Sequence, residues 1–242
     1  MSPKKSPYFT VIIPCKNEEA LIQQCLSSIV NQSTKKSYEI IVVDGNSTDK
    51  TLEIAKGFSV KIIKDSLPGK CNGLQTAIKY AKGEILCFTE ADCKIPSNWL
   101  ERINNDFISH KKSIAVVGLI TFYNSTFFYK SLAKIFLPIC MYIFKIFFRT
   151  YPFRTSNFAV YRQSMEKVGG FNTNTKELYD VDLSFRIKNL GRIVFDSDLI
   201  VETSDRRIKN RLFTFLSEVS RSLFYVAILR KPVPQPLYQD IR

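Results

Sequence analysis

The chain has 242 residues, of which 45% are hydrophobic and 24% are charged, and its formal net charge at pH 7 is +13. This length and apolar content fit one α/β domain with its own core, and they exclude a short disulfide-stapled scaffold, a long repeat array and a disordered chain. The excess of Lys and Arg favours anionic partners such as nucleotide phosphates or an acidic membrane surface. No nucleic-acid-binding motif accompanies the charge, so nucleic acid is not expected as a partner.

The six cysteines argue against a structural zinc site, because none forms a Cys-x-x-Cys pair and the chain has a single His. Most of them lie within apolar runs, as free thiols in a reducing compartment do. The short apolar run Phe9–Cys15 contains Pro14 and is expected to be a strand and not a signal peptide.

Strand and helix patterns alternate over the first ninety residues. The predicted strands are Thr10–Ile13, Glu39–Asp44, Val60–Lys64 and Glu84–Thr89. Apolar residues at helical spacing predict helices over Glu19–Ile29, through Leu52 and Ala55 with Ser47 or Thr48 as N-cap, and through Leu74–Ala81. This order predicts an α/β fold with a mostly parallel, Rossmann-like sheet flanked by helices and wound by right-handed crossovers.

The alternation becomes irregular further along the chain. In order, the sequence predicts a helix capped by Ser97 and running through Phe107, strands at Ile114–Phe122 and Phe158–Tyr161, a turn at Gly169–Gly170, a helix over Tyr179–Leu190 and a strand at Arg192–Phe195.

Three polar residues, Asn17, Asp44 and Asp92, each follow the carboxyl end of an apolar strand. In open α/β sheets ligands bind at that edge. Turns are rich in Asn and Asp for local reasons, so any one of these residues alone would indicate only a turn. Three of them at one edge favour a binding site.

Several segments resemble the motifs of family 2 glycosyltransferases with the GT-A fold. The segments are Val11–Glu18 with Ile41–Thr51, Gly83–Asp92, and Gly169–Asn172 with Asp180–Leu183 and Arg186. The resemblance extends over roughly Phe9 to Arg207, and the order and spacing of the segments make it specific. It implies a GT-A fold, a nucleotide-sugar donor and a transfer reaction.

The resemblance also implies roles for individual residues. Asp92 would bind a divalent metal, Mn²⁺ or Mg²⁺, together with Glu90, since Glu90-Ala91-Asp92 stands where the family has Asp-x-Asp. Asp180, preceded here by Tyr179, would be the general base of an inverting transfer. Residues implied to contact the nucleotide-sugar are Pro14, Asn17, Glu18, Asp44, Lys70, Glu90, Ala91, Arg206 and Arg207.

Simpler interpretations of some of these residues stay open. Asp49 would only cap a helix, Lys70 would be a solvated lysine, and Arg206 with Arg207 would form a basic loop. Asp182 would stabilise a helix N-terminus, and the same helix end is expected to lower the basicity of Asp180 modestly.

The segment Ser131–Phe148 is mostly apolar and aromatic, yet it contains Lys134, Pro138 and Lys145. The two lysines are about three helical turns apart and therefore point the same way, and Lys130 and Arg149 extend the basic stripe. This pattern predicts an amphipathic helix that lies in an anionic membrane interface. A buried helix or a dimer contact is the alternative.

The expected organisation is a catalytic domain over 1–210 that includes the amphipathic insertion 131–149, followed by a weaker amphipathic helix and a Pro-rich tail over 211–242. The leading hypothesis is a metal-dependent inverting glycosyltransferase, peripheral on the cytoplasmic face of a membrane, with a lipid or lipid-linked glycan as acceptor. The alternatives are a nucleotidyltransferase, although Pro14–Asn17 is no Gly-rich phosphate loop, and a noncatalytic GT-A-like scaffold at the membrane.

Overall fold

The computed structural model describes residues 6–123, 127–175 and 178–206, with the side chains of 127–130, 132 and 133 left out. The predicted helix and Pro-rich tail at 211–242 lie outside the described residues, as does Arg207.

The described residues form eight strands and seven helices. The strands are β1 Phe9–Cys15, β2 Tyr38–Asp44, β3 Lys61–Lys64, β4 Ile85–Phe88, β5 Cys93–Lys94, β6 Ser113–Phe122, β7 Phe158–Tyr161 and β8 Arg192–Thr203. The helices are α1 Ile22–Val30, α2 Thr51–Lys56, α3 Lys70–Tyr80, α4 Trp99–Ser109, α5 Phe127–Phe148, α6 Arg162–Lys167 and α7 Tyr179–Ile187.

All eight strands belong to one mixed sheet in the order β3-β2-β1-β4-β7-β6-β8-β5. Strands β1 to β4 pair in parallel and β6 pairs in parallel with β8, whereas β7 runs antiparallel to β4 and β6, and β5 antiparallel to β8. The sheet is therefore mixed: most strands were expected to pair in parallel, and β5 and β7 are the two that do not. Because β7 runs antiparallel to β4 and β6, its amino end lies at the edge where these two strands end. One rim therefore collects the carboxyl ends of β1, β2, β3, β4, β6 and β8 and the amino end of β7.

The sheet is buried on both faces, which explains why its central strands are continuous apolar runs. Along β1, Val11 and Ile13 point to the layer of α1 and α4, and Ile12 points to the layer of α3 and α7. This alternation follows from the two-residue period of a strand. In the second layer the rings of Phe88 and Phe153 stack on opposite sides of Phe158, at centroid distances of 4.5 and 4.7 Å.

The predicted helix starts differ from the observed ones. Helix α1 begins at Ile22, and the residues before it form a turn in which the amides of Leu21 and Ile22 donate to the carbonyl of Glu18. The predicted caps Ser47 and Thr48 are wrong, because α2 begins at Thr51 without a side-chain N-cap. Ser97 does not cap either, since α4 begins at Trp99 after Asn98, again without a side-chain cap bond.

Helix α5 lies on the surface and buries only one side. Met141 and Phe144 are buried, and Phe144 packs 5.9 Å from the ring of Phe185 on α7. The opposite side leaves a continuous apolar stripe 47–75% exposed, formed by Ile135, Phe136, Ile139, Tyr142, Ile143, Ile146 and Phe147. Among the described residues, no helix has both the length and the apolar character needed to cross a bilayer.

Candidate active site

Asp44 ends β2 at the shared rim and is almost wholly buried, with 1% of its surface exposed. The backbone amide of Ser47 donates to both of its carboxylate oxygens at 3.2 Å, and the Ser47 hydroxyl donates to Oδ1. The Ser47 hydroxyl also accepts from the amide of Asn17, whose side-chain oxygen in turn accepts from the amide of Thr48. Ser47 and Thr48 therefore join the loops after β1 and β2, which is why neither is available as a helix cap.

Glu18 and Asp92 form a second acidic pair at the same rim. Each carboxylate is about 6% exposed, and Nη2 of Arg206 lies 2.6 and 2.7 Å from the two oxygens of Glu18 and 3.4 Å from Oδ2 of Asp92. Asp92 is further tied to the end of β8, because the Thr203 hydroxyl donates to its Oδ1 and the Ser204 amide donates to its backbone carbonyl. The loop after β4 and the end of β8 thus meet at a cluster of charged side chains.

Glu90 lies on the same loop but has different partners. Its Oε1 is 2.9 Å from Nζ of Lys70 and accepts a hydrogen bond of 2.9 Å from the Ser156 hydroxyl. Lys70 is the first residue of α3 and follows Gly69, which has φ of 96°. The ion pair places a cation beside the implied phosphate site, so Lys70 is not simply a solvated surface lysine.

Asp180 is held at the start of α7 by Thr155. The amide and hydroxyl of Thr155 donate to Oδ2 at 3.0 and 3.1 Å, and the Val181 amide donates to Oδ1 at 2.9 Å. Burial raises the pKa of Asp180, and the donors on Thr155 together with the charge of Lys70 only partly oppose it. The expected lowering of its basicity by the helix end is therefore wrong, because desolvation outweighs it.

Thr155 and Ser156 connect Asp180 to Glu90 across the rim. They precede β7, and they bind Asp180 and Glu90 respectively. Sequence analysis missed both residues, because a Thr-Ser pair before a short strand carries no recognisable spacing. Their role follows from β7 being antiparallel, since its amino end then lies among the carboxyl ends of the other strands.

The turn at Gly169–Gly170 is fixed by two side chains from neighbouring helices. Nη1 of Arg186 donates to the carbonyls of Val168 and Gly170, and its Nε is paired with Asp182 at 2.8 Å. Gln75 of α3 accepts from the Phe171 amide and donates to the Gly169 carbonyl. Asp182 therefore orients Arg186 beside this turn.

The donor set suits a hard divalent cation. Carboxylate oxygens of Asp92 and Glu90 are the ligand type that Mg²⁺ and Mn²⁺ prefer. The described part of the chain contains no group of three or more His, Cys, Asp or Glu side chains that would hold an ion by itself. Two carboxylates nevertheless fit an ion that arrives with a diphosphate, because Mg²⁺ is commonly bound by one or two carboxylates plus substrate phosphates.

The remaining implied contacts are placed unevenly. Pro14 is partly exposed near the end of β1, at the rim. The Ala91 side chain is 2% exposed and packs in the core with α1 and α4, so only its backbone faces the loop.

Asp49 accepts from the Thr51 amide at 3.0 Å and from the Glu19 amide, which ties α2 to the loop after β1.

The model of a family described as "Glycosyl transferase family 2" matches residues 10–169. The chain is 41% identical over 103 residues to the glycosyltransferase AglE of Haloferax volcanii, covering 40% of this chain and 34% of that protein. It is 30% identical over 206 residues to the probable glycosyltransferase YdaM of Bacillus subtilis, covering 78% of this chain and 48% of that protein. The chain thus spans from about a third to about half the length of these curated relatives.

Two solved structures share the fold. The mannosyltransferase PcManGT from Pyrobaculum calidifontis, in complex with GDP-Man and Mn²⁺, gives a TM-score of 0.71 at 21% identity and is matched over 98% of this chain and 68% of its own. Glucosyl-3-phosphoglycerate synthase from Mycobacterium tuberculosis, in complex with Mn²⁺ and UDP-glucose, gives 0.64 at 17% identity, over 95% and 80%. Because the family model covers more than half of the sequence, the chain belongs to glycosyl transferase family 2.

Proposed function

We propose that this protein is a metal-dependent inverting glycosyltransferase that moves a sugar from a nucleotide-sugar to a lipid or lipid-linked glycan at the cytoplasmic face of a membrane. The observation that carries the catalytic part is the rim itself, where Asp44, Asp92 and Asp180 all lie and each is held by its own partner, Ser47, Arg206 and Thr155 respectively. Family membership argues against the alternative of a nucleotidyltransferase.

The donor is proposed to bind over the ends of β1, β2 and β4. Asp44 and Asn17, held together through Ser47, would contact the nucleoside, and Glu18 and Pro14 would line the same pocket. Lys70, Arg206 and Arg207 would face the diphosphate, since ammonium and guanidinium groups pair with phosphate oxygens. Lys70 is also the first residue of α3. PcManGT and the mycobacterial synthase, solved with GDP-Man and UDP-glucose, support a nucleotide-sugar donor.

Asp92 and Glu90 would hold the divalent ion, with Ala91 joining them through its backbone. When bound, the ion supplies Lewis-acid neutralisation of the departing diphosphate. The Mn²⁺ complexes of the two solved structures support this assignment. Lys70 keeps Glu90 beside the diphosphate position and adds a second positive charge there.

Asp180 is proposed as the general base. As the acceptor oxygen attacks the anomeric carbon, its proton passes to the Asp180 carboxylate, and the bond from that carbon to the diphosphate oxygen breaks. The raised pKa of Asp180, caused by burial, makes its carboxylate a stronger base than an exposed aspartate. Thr155 would keep Oδ2 in a fixed position.

Asp180→Asn tests this assignment. We expect it to lower the turnover number at least a hundredfold, the usual size of a general-base contribution, while leaving the melting-temperature increase caused by donor unchanged. The assay follows nucleoside diphosphate release over a panel of UDP- and GDP-sugars with Mn²⁺. Asp182→Asn is the matched control. It removes the same charge two residues along the chain from Asp180, and Asp182 is paired with Arg186.

Turnover by Asp180→Asn within tenfold of the wild type would contradict the base assignment. A wild type that binds donor without ever releasing nucleoside diphosphate would instead favour the noncatalytic scaffold.

The membrane part of the proposal rests on α5. By the helical rotation of about 100° per residue, Lys134 and Lys145 lie along one border of the exposed apolar stripe. Arg149 directly follows the helix. Apolar side chains bordered by basic ones suit a helix that lies in an anionic headgroup region. Phe144 joins α5 to Val181 and Phe185 of α7, the helix that carries Asp180. In this arrangement α5 would lie at the membrane surface, and α7, which packs against α5, would present Asp180 to a lipid-borne acceptor.

A further inference from the structure

Arg206 occupies a particular place at the rim, between two nearly buried carboxylates. Its Nη2 lies 2.6 and 2.7 Å from the Glu18 oxygens and 3.4 Å from Oδ2 of Asp92. The side chain of Arg206 is 35% exposed, whereas those of Glu18 and Asp92 are each 6% exposed. The partly exposed guanidinium of Arg206 thus provides positive charge to two carboxylates that are more deeply buried than it is.

A divalent ion on Asp92 would have to coexist with this guanidinium. Both would be cations, and both would be drawn to the carboxylate of Asp92. At separations of about 4 Å, like charges beside a protein surface repel strongly, and the repulsion doubles when one of them is divalent. The two cations therefore compete for Asp92 as long as no further anion is present.

The contacts to Glu18 would keep the Arg206 guanidinium paired after its contact to Asp92 is broken. The two short contacts to Glu18 hold the guanidinium more tightly than the longer contact to Asp92. Glu18 is itself fixed, because its amide donates to the Thr51 hydroxyl at 2.7 Å. Loss of the longer contact to Asp92 would therefore leave the guanidinium paired with Glu18.

We propose that Arg206 is the resident counter-ion of Asp92 in the donor-free protein, so that the metal ion binds poorly alone and well together with a diphosphate. The diphosphate supplies the negative charge that lets the ion and the guanidinium coexist. This inference rests on the proposed function, because it takes Asp92 as a metal ligand. It adds a binding order to that function, in which the metal ion binds together with the diphosphate and not before it.

Titration with Mn²⁺ alone, followed by the loss of the free-ion electron paramagnetic resonance signal, tests the proposal without any turnover. We expect Arg206→Gln to bind Mn²⁺ at least tenfold more tightly than the wild type, because the competing charge is gone. Arg162→Gln is the matched control. Arg162 follows β7 at the opposite end of the sheet, pairs with Glu166, and should leave the affinity within twofold.

The double variant Asp92→Asn/Arg206→Gln tests whether the ion binds to Asp92. We expect it to lose the increase in Mn²⁺ affinity that Arg206→Gln shows. An Arg206→Gln affinity equal to or below the wild-type value would overturn the proposal, as would a gain that persists without the Asp92 carboxylate. If Arg206→Gln melts early, Arg206→Met gives the same measurement with a different side chain. Failure of the proposed function appears separately, as a wild type that turns over no nucleotide-sugar.

Discussion

Asn157 is a wholly buried side chain whose three hydrogen bonds join the segment before β7 to two strands and a helix. Its Oδ1 accepts from the Trp99 indole at 2.9 Å, and its Nδ2 donates to the carbonyls of Leu119 and Leu199 at 2.8 and 2.7 Å. Gly118 makes room for the amide, because a Cβ at that position would collide with Nδ2 and with the Leu199 carbonyl. The residue lies directly after Thr155 and Ser156, so it also anchors the connection between Asp180 and Glu90.

Asn157→Leu keeps the size of the side chain and removes all three hydrogen bonds. Each buried partner left without a hydrogen bond costs about 1–3 kcal/mol. Since the two carbonyls each have a second lone pair, we expect a total loss of roughly 3–6 kcal/mol in the free energy of unfolding. That is a large part of the ~5–15 kcal/mol that holds a typical domain together.

Urea unfolding followed by circular dichroism measures this loss as a lower midpoint at an unchanged slope. Asn31→Leu is the matched control. Asn31 is exposed and its Nδ2 donates to the Ser27 carbonyl, so the same exchange there should change stability by less than about 0.5 kcal/mol. A loss of less than about 1 kcal/mol for Asn157→Leu would refute the accounting of unpaired buried groups.

Two further predictions concern charge. Burial and a neighbouring carboxylate raise the pKa of Asp106 from 3.8 to about 6, so the stability that its proton provides is complete below pH 3.8 and is lost as the pH rises through about 6. Asp106→Asn should therefore raise the free energy of unfolding by about 1 kcal/mol at pH 7.5, after allowance for solvent screening, and by almost nothing at pH 4; equal gains at both values would contradict this. Lys134→Glu/Lys145→Glu should lower co-flotation with phosphatidylserine vesicles at least tenfold, because each basic residue near the surface contributes about 1 kcal/mol to binding. The control Lys56→Glu/Lys79→Glu, on α2 and α3, should leave co-flotation unchanged. Equal binding by both double variants would remove the argument for a membrane-facing α5.

Local patterns in the sequence were sufficient to predict the strands in the parallel half of the sheet. The apolar runs that became β1, β2 and β4 are buried on both faces, and such strands leave a continuous signal in the sequence. Position at a strand end was also readable, since Asp44 is the last residue of β2 and Asp92 lies in the loop after β4. The predicted helix starts were less accurate, because Ser47 and Thr48 bond to other loops instead of capping α2.

The residues and motifs that identify the family are short and contiguous, so the sequence by itself determined the fold class, the family and the acidic residues at the rim. Only the tertiary structure decided their partners: Arg206 lies 188 positions from Glu18, and Thr155 lies 25 positions from Asp180. It also decided the direction of β7, and it reversed the expected direction of the Asp180 pKa. The physical reason is that hydrophobic periodicity is a local property, whereas desolvation and ion pairing depend on which distant segments the packed sheet brings within a few ångströms.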